Sequence, residues 1–334
     1  MITLVTGATG FVGSHVVRQL LARGDTVRVL VRRASSMRAL EGLDVQVAIG
    51  DVRDASAVRA AARGARRVFH VAADYRLWAR DPSELYETNV RGTQNVLGAI
   101  HGGIDRVVYT STIATIAVPR DRLPDETTEA SLDEMIGHYK RSKLIAEHAV
   151  LDAAAHGVPV VVVNPTTPVG PGDWKPTPTG KVIVDFLRHR LPAYVQTGLN
   201  LVPVEDVARG HLLAAERGRI GERYLLGGRN MTLHDMLETL SVYSGRRTPR
   251  ICLPWRVAMA IGYTDQLIAR VSGREPQIPL DGVRMARHMM WADCTKAKRE
   301  LGFSPESTEA ALGRAVRWYA QQGYVTHDGR GRND

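Results

Sequence analysis

The chain has 334 residues, of which 44 are Lys or Arg and 35 are Asp or Glu, so its formal net charge is +9, and 44% of its residues are hydrophobic. This composition is typical of a globular protein with a sizeable core and excludes a disordered, collagen-like or disulfide-rich chain. Apolar runs such as Val158–Val163 are far shorter than the roughly 20 residues that cross a bilayer. Basic residues are interleaved with acids and only 6% of residues are aromatic, which argues against nucleic acid as a partner.

A strand-like run, Ile2–Val5, stands at the beginning of the sequence, so we expect no secretory signal. The two cysteines, Cys252 and Cys294, lie far apart and in no metal-ligand spacing, so we expect neither a disulfide nor a metal site. These features predict a cytoplasmic protein. A peripheral position at the inner membrane surface is the alternative.

Short β-branched runs alternate with helical patterns through the first half of the chain. The strand-like runs are Ile2–Val5, Val27–Val31, Val45–Ile49, Val68–Val71, Val107–Tyr109 and Val158–Val163. The helix-like segments are Gly13–Arg23, Ser56–Arg63, Pro82–Ile100 and Tyr139–Ala155. This alternation predicts an α/β fold of the Rossmann type, in which helices cover both faces of a doubly wound parallel sheet.

The pattern changes after Pro165, where a loop rich in Pro and Gly runs to Gly180. The later segments are the helix-like Val182–Arg190, Val207–Arg217, Leu233–Tyr243, Trp255–Val271 and Glu309–Gln321 and the strand-like Tyr224–Leu226. We therefore predict a dinucleotide-binding domain over residues 1–165. A smaller, mostly helical substrate lobe over 166–328 follows, interleaved with the last strands of the sheet, and 329–334 form a frayed tail.

A glycine-rich turn joins the first strand to the first helix. Gly7, Gly10 and Gly13 have the spacing G-x-x-G-x-x-G, which allows a tight turn and close approach of the backbone to a pyrophosphate. The helix N-terminus then supplies free N–H donors and a partial positive charge. The predicted contacts to the dinucleotide come from Gly7, Thr9, Gly10, Phe11, Val12 and Gly13.

The end of the second strand selects the dinucleotide. An NAD site would place Asp or Glu there against the ribose 2′-hydroxyl, but no acid lies between Thr26 and Leu40. Arg32 and Arg33 can neutralise a 2′-phosphate, and Ser35 or Ser36 can donate hydrogen bonds to it. The sequence therefore favours NADP(H), with NAD(H) as the alternative.

Residues at the ends of the next two strands complete the predicted cofactor site. Asp51 and Val52 end the third strand, where a carboxylate could accept a hydrogen bond from the adenine amino group. Ala72 and Ala73 follow the fourth strand, where small side chains leave room for the cofactor.

The chain contains a single Tyr-x-x-x-Lys, formed by Tyr139 and Lys143 on one face of a predicted helix. A phenol titrates near pH ~10, too high for a base at neutral pH. A cation about 4–6 Å away and an oxidised nicotinamide would lower its pKa. We expect Tyr139 to exchange a proton with a substrate oxygen, and Lys143 to tune Tyr139 and hold the nicotinamide ribose.

Together with the hydroxyl cluster Thr110, Ser111 and Thr112, these residues resemble the extended short-chain dehydrogenase/reductase superfamily over nearly the whole chain. The resemblance implies that Thr112, with Ser111 as the fallback, orients the substrate oxygen beside Tyr139. It places Thr110 in the cofactor site, Pro165 and Thr167 beside the nicotinamide, and Asn89 as a brace of the loop after the fourth strand. Dehydratases of this superfamily carry Asp-Glu after the Thr; Ile113 and Ala114 stand here, which disfavours dehydration.

A narrower resemblance is carried by the segments 73–78, 137–143, 175–180 and 280–286, which look like bacterial hopanoid-associated sugar epimerases and the dihydroflavonol 4-reductases. This implies modification of the polar side chain of hopanoids, which are polycyclic membrane lipids. The leading hypothesis is an NADP(H)-dependent oxidoreductase acting on a carbonyl or hydroxyl of a sugar- or polyol-like group. An epimerase with tightly held NAD(P) and a transient keto intermediate is the second, and a non-catalytic dinucleotide sensor the third.

The predicted substrate side comprises Asp74, Tyr75, Trp78, Thr112, Lys175 and Lys181. The expected partner is a small-molecule or lipid-linked polyol or sugar. The helix Trp255–Val271 is apolar over much of its circumference, which indicates core packing or a homodimer face, or contact with a membrane that carries a lipid substrate.

Overall fold

The computed structural model describes residues 1–100, 102–119 and 121–325. The predicted tail 329–334 and the last three residues of the predicted substrate lobe, 326–328, lie outside the described residues.

Strands and helices alternate through the first half of the described chain, as the sequence predicts. The strands are β1 (Ile2–Thr6), β2 (Thr26–Val31), β3 (Gln46–Ile49), β4 (Ala65–His70), β5 (Arg106–Thr110), β6 (Val160–Pro165), β7 (Thr167–Val169), β8 (Ala193–Val195), β9 (Gly198–Pro203), β10 (Arg223–Leu226), β11 (Arg229–Thr232), β12 (Ile251–Leu253) and β13 (Met289–Met290). The helices are α1 (Phe11–Ala22), α2 (Ala55–Ala62), α3 (Ser83–Tyr86), α4 (Gly92–Gly98), α5 (Gly137–Ala155), α6 (Pro178–Leu187), α7 (Val204–Arg217), α8 (Leu233–Ser244), α9 (Trp255–Ser272), α10 (Leu280–Met285), α11 (Thr295–Leu301) and α12 (Thr308–Gln321).

Seven strands form one parallel sheet in the order β10-β6-β5-β4-β1-β2-β3. The chain order reverses between β1 and β4, so the carboxyl ends of these two strands flank the crevice where open α/β sheets bind ligands. The predicted α/β fold with a doubly wound parallel sheet is confirmed.

Helices cover both faces of this sheet because its central strands are apolar on both sides. One buried cluster joins strand residues such as Val29 and Val161 to α1, α7 and α11 through Leu20, Val207 and Leu301. A second cluster on the opposite face joins the strands to α2, α4 and α5. The core therefore holds the carboxyl edge of the sheet rigid.

The predicted helix over 82–100 is interrupted. Helix α3 passes into a five-residue π-helix, Glu87–Arg91, before α4 begins. A π turn adds one residue to a helical turn, and hydrophobic spacing does not register this change. The interruption contains the buried Asn89, which lies near the candidate active site.

The second half contains more strands than its sequence pattern predicts. Strands β11, β9 and β13, with β7 beside β9, form a small sheet, and β8 pairs with β12. Strand β10 instead joins the main sheet beside β6, so the second half of the chain contributes to both sheets. Within the described part of the chain, no helix is both long and apolar enough to cross a membrane.

Candidate active site

The glycine turn packs tightly against the end of β4. Gly7 has a φ of +71°, and a Cβ there would lie 2.5 Å from the backbone nitrogen of Ala72. A Cβ on Gly13 would lie 2.1 Å from the carbonyl oxygen of Gly7. Only glycine fits at these two positions, and no side chain caps the N-terminus of α1, where Gly10 is the N-cap. The turn is thus a backbone cradle with N–H donors that fits the pyrophosphate of a dinucleotide.

The predicted 2′-phosphate residues Arg32, Arg33 and Ser36 are exposed just beyond β2. Asp51 stands near them and accepts hydrogen bonds from Arg53 at 2.8 and 3.1 Å. Burial favours a higher pKa for the Asp51 carboxyl, but the hydrogen bonds from Arg53 and the charges of Arg53 and Arg32 outweigh it, so the pKa is lowered. The region predicted to hold the adenosine part of a dinucleotide therefore has cations at its rim and a carboxylate that is already ion-paired.

Tyr139 lies in the first turn of α5, two residues after Gly137, which has a φ of +80°. Burial raises the pKa of its phenol, a hydrogen bond with Thr112 opposes that rise, and the charge of Asp74 adds to it. The Thr112 hydroxyl is buried and also accepts the backbone N–H of Ala114 at 3.2 Å. Tyr139 and Thr112 therefore form a pair in which the phenol is protonated at neutral pH.

Ser111, the fallback for Thr112, is oriented differently. Its Oγ is buried and has no hydrogen-bond partner among the described residues. Thr112 is the hydroxyl that contacts Tyr139.

The contacts of Lys143 in the structure are with Tyr109 and Thr110. Its Nζ donates to the Tyr109 hydroxyl and to the Thr110 carbonyl, both at 2.8 Å, and lies 4.5 Å from the centre of the Tyr109 ring. Burial lowers the pKa of Lys143 to about 7, and the charge of Glu147 opposes this. Without a dinucleotide, burial dominates at the Tyr139 phenol and two other oxygens bind the ammonium. The lowering of the Tyr139 pKa by Lys143 together with an oxidised nicotinamide stays a prediction.

A buried hydrogen-bond chain continues from Lys143. Tyr109 bonds to Thr93, which also bonds to His70 at 3.0 Å and donates to the Asn89 carbonyl at 2.6 Å. Since Thr93 has a single proton and gives it to that carbonyl, His70 must donate to Thr93 through Nε2. The other nitrogen of His70 then accepts from Thr6, at 2.7 Å, at the end of β1. These hydrogen bonds connect Lys143 to β1, the strand that leads into the glycine turn.

Asn89 braces the loop after β4. Its Oδ1 accepts from the Asp74 N–H at 2.7 Å, and its Nδ2 donates to the Asp74 carbonyl and to Ser142, both at 2.9 Å. Ser142 lies between Tyr139 and Lys143 on α5. The loop and the helix that carries both candidate catalytic residues are therefore joined through one amide.

The predicted substrate residues make contacts in different parts of the structure. Asp74 pairs with Arg76, with 2.6 Å between carboxylate and guanidinium, which occupies the carboxylate. The Tyr75 hydroxyl donates to the Lys175 carbonyl at 3.3 Å, so the loop after β4 touches the Pro-rich loop, and burial raises the pKa of Tyr75 to about 12. The Lys181 ammonium donates to the Gln277 carbonyl at 3.0 Å. Lys175 is exposed.

Trp78 lines a cavity of about 460 Å³ between the loop after β4 and helices α9 and α10. Its walls combine apolar, polar and charged side chains of both signs, namely Leu77, Trp78, Tyr263, Gln266, Leu267, Arg270, Leu280, Asp281 and Arg284. The cavity is adjacent to the start of α5, since a Cβ on Gly137 would lie 2.3 Å from Oδ2 of Asp281. One wall of the cavity, Asp281, therefore contacts the start of α5 two residues before Tyr139.

Five residues near the site carry no clear signal in the sequence pattern and were not predicted, namely Tyr109, Thr93, His70, His211 and Glu147. His211 bonds to Thr110 at 2.9 Å, and Glu147 is buried and pairs with Arg223 at 3.1 Å. A weak signal existed for Tyr109, since it is an aromatic hydroxyl in an otherwise aliphatic strand. The others lie far from Lys143 in sequence or on buried helix faces, and only the packed fold brings them near it.

The sequence profile of the family described as "NAD dependent epimerase/dehydratase family" matches residues 3–227. The chain belongs to this family. It thereby falls within the extended short-chain dehydrogenase/reductases, an enzymatic family.

Two relatives match along almost their full lengths. A "putative dihydroflavonol 4-reductase" of Synechocystis is 44% identical, with 96% of this chain and 95% of the relative covered. "Sterol demethylase protein B" of Methylococcus capsulatus is 37% identical, covering 97% of this chain and all of the relative.

Two solved structures of the same fold support this assignment. The protein gox2253 superimposes with a TM-score of 0.87 and 42% identity, covering 97% of this chain and 99% of that one. A nucleoside-diphosphate-sugar epimerase of Pseudomonas aeruginosa gives a TM-score of 0.81 with 26% identity and covers 98% and 99%. The family thus includes reductases and epimerases on one scaffold.

Proposed function

We propose that this protein is an NADP(H)-dependent oxidoreductase that moves hydride between the nicotinamide and a carbonyl or hydroxyl carbon of its substrate, with reduction as the favoured direction. The observation that carries the proposal is the Tyr139–Thr112 pair at the edge of the sheet that also holds the glycine cradle. Because the pKa of its phenol is raised, Tyr139 carries a proton at neutral pH. It can give this proton to the substrate oxygen when the carbonyl carbon receives hydride.

The roles of the individual groups follow from their positions. The cradle of Gly7, Gly10 and Gly13 would hold the pyrophosphate, with Arg32 and Arg33 at the 2′-phosphate. The nicotinamide, when bound, supplies the hydride. Thr112 hydrogen-bonds the substrate oxygen, and Tyr139 donates its phenolic proton to that oxygen as negative charge develops there. The buried Lys143 holds its cationic end at the carboxyl edge of β5.

The substrate we propose has an oxygenated, sugar- or polyol-like group on an apolar body, as in the side chain of a hopanoid. Support comes from the cavity beside Gly137, whose aromatic and aliphatic walls suit an apolar body and whose Arg270 suits an oxygen-rich end. Arg284 in the same wall pairs with Asp281 at 3.2 Å. A relative named for sterol demethylation also favours an apolar polycyclic substrate.

An epimerase is the second candidate, favoured by the fold shared with the nucleoside-diphosphate-sugar epimerase. It would oxidise and re-reduce one carbon and therefore retain its dinucleotide. Denaturing freshly purified protein and identifying any released dinucleotide separates the two candidates. Stoichiometric NAD supports the epimerase, whereas empty protein that binds NADPH reversibly supports the reductase.

The catalytic assignment is tested by Tyr139→Phe. We expect carbonyl-dependent NADPH oxidation to fall at least a hundredfold, since general acid catalysis contributes about 10²–10⁴, while NADPH affinity by fluorescence titration changes less than about twofold, or about 0.4 kcal/mol. Tyr86→Phe is the control, because Tyr86 bonds to His138 and not to Thr112. Full activity of Tyr139→Phe would contradict the assignment.

The NADP(H) preference is tested by Arg32→Asp. The new carboxylate would repel a 2′-phosphate and could accept a bond from a 2′-hydroxyl, so we expect the ratio of NADPH to NADH affinity to fall about tenfold or more. Arg59→Asp, on α2, is the matched charge change away from the end of β2. An unchanged ratio in Arg32→Asp would remove Arg32 from the 2′-phosphate site.

A further inference from the structure

Helix α9 presents an apolar surface to solvent. Its large exposed side chains are Val257 (44% exposed), Ile261 (42%), Tyr263 (54%), Leu267 (62%), Ile268 (49%) and Val271 (86%). At 100° per residue these side chains occupy one broad arc, and the buried Ala258, Gly262 and Ala269 lie on the opposite side. A helix on the surface of a soluble protein usually has polar residues on its outer side. An exposed apolar arc of this size is typical of a surface that binds an apolar partner.

The charges around α9 identify the kind of partner. Segment 246–287 contains eight arginines and only three acidic residues. On α9 itself, Arg270 lies at one edge of the apolar arc and Arg256 lies within the arc near the same edge, and both are exposed. Asp265 lies on the buried side and pairs with Arg274 at 2.6 Å. An apolar face bordered by cations is the pattern of a helix that lies in the plane of an anionic bilayer.

We propose that α9 docks on the surface of an anionic phospholipid membrane, with its apolar arc in the acyl region and its arginines at the phosphates. A second copy of this chain fits the surface less well, because pairing two such faces would bring two sets of arginines together. The docked helix also forms a wall of the cavity that Trp78 lines, through Tyr263 and Leu267. The membrane contact would thus lie beside the proposed substrate cavity, which extends the proposed function without depending on it.

The test needs neither cofactor nor substrate, so it is independent of the proposed reaction. Purified full-length protein is sedimented with vesicles of phosphatidylcholine alone and with vesicles that contain about one third phosphatidylglycerol. We expect at least tenfold stronger partition to the anionic vesicles, lost as salt is raised.

The variants Ile268→Glu and Val271→Glu place a charge in the arc at exposed positions that do not line the cavity. We expect each to reduce partition to anionic vesicles at least tenfold. The matched control is Val242→Glu on α8, where an 82% exposed valine lies on another helix; it should bind like the parent protein. Circular dichroism melts establish that all three variants fold.

Three results with vesicles would overturn the proposal. These are no binding of the parent protein to anionic vesicles, equal binding to neutral vesicles, or equal loss in Val242→Glu. A dimer in sedimentation velocity that Ile268→Glu converts to a monomer, with vesicle binding unchanged, would make this face a subunit interface instead.

Discussion

At the scale of single residues, the contact of Lys143 with Tyr109 is the feature that most changes the chemistry expected from the sequence. The ammonium is buried and held by a phenolic oxygen and a carbonyl, both at 2.8 Å. Each of these acceptors favours the charged form of a lysine whose pKa burial lowers to about 7. The charge of Lys143 is therefore set by its contacts within the fold.

Replacing Tyr109 by Phe removes one acceptor and keeps the ring. The charged form of Lys143 loses a hydrogen bond, so its pKa should fall further. We expect the alkaline limb of the pH–rate profile to move to lower pH, with a smaller change in the rate at acid pH, where more of Lys143 is protonated.

The chain offers a matched control for this variant. Tyr224 is equally buried and has Lys296 over its ring at 4.9 Å, but it bonds to Glu300. Tyr224→Phe should lower stability without moving the pH profile. A profile that is the same in Tyr109→Phe and the parent protein would show that this hydroxyl does not influence Lys143 during turnover.

At the scale of elements, the turn between β1 and α1 is set by close backbone contacts. Gly13→Ala would force its Cβ to within 2.1 Å of the Gly7 carbonyl oxygen, so the turn must open and the N–H donors of α1 must shift. We expect NADPH affinity to fall at least tenfold, which corresponds to about 1.4 kcal/mol.

Gly98→Ala is the control for this change. Gly98 ends α4, and a Cβ at this position would have nothing within 4 Å, so the variant should bind NADPH like the parent protein and be equally or slightly more stable. Isothermal titration of both variants gives the comparison. Parent-like affinity in Gly13→Ala would show that the close contact does not matter for binding.

At the scale of the whole molecule, two buried neutral histidines couple stability to pH. Burial lowers the pKa of His70 to about 3 and that of His211 to about 4. His211 donates from Nδ1 to the Val207 carbonyl at 2.7 Å and accepts from Thr110 at Nε2. The ring therefore carries one proton, and a second one at Nε2 would break the hydrogen bond from Thr110. The packed fold holds both rings in the neutral form.

The direction of the pH effect follows from these pKa values. Unfolded histidine takes up a proton near pH ~6.5, whereas the folded residues do so only near 3 and 4. Above pH ~6.5 neither state binds the proton and there is no effect, whereas below it the unfolded state gains protons that the folded state lacks. The free energy of unfolding should therefore fall as the pH drops from about 6.5 toward 4, by up to about 1.4 kcal/mol per pH unit for each histidine.

Urea unfolding of His211→Asn across this range measures the contribution of one residue. We expect a lower free energy of unfolding at neutral pH and a shallower decline with acid. His148→Asn, at an exposed position of α5, should keep the parent slope. Equal slopes in His211→Asn and the parent protein would exclude His211 as a source of acid sensitivity.

Features that depend on local pattern and spacing could be predicted from the amino-acid sequence. The alternation of apolar runs and helical segments indicated the parallel sheet, since strands buried on both faces need continuous apolar residues. Gly7, Gly10 and Gly13 marked the cradle, and at Gly7 and Gly13 a positive φ or close backbone contacts exclude other residues. The i, i+4 spacing of Tyr139 and Lys143 placed them on one helix face.

The contacts of those groups, by comparison, depend on the packed fold. Lys143 contacts Tyr109 because α5 packs on the parallel sheet that contains β5. The sequence of neither segment by itself predicts this contact. The π-helical turn at Asn89 and the short strands of the second half depend on partners distant in sequence, which hydrophobic periodicity cannot register. The raised pKa of Tyr139 and the cavity that Trp78 lines also depend on segments that are distant in sequence and come together only on folding.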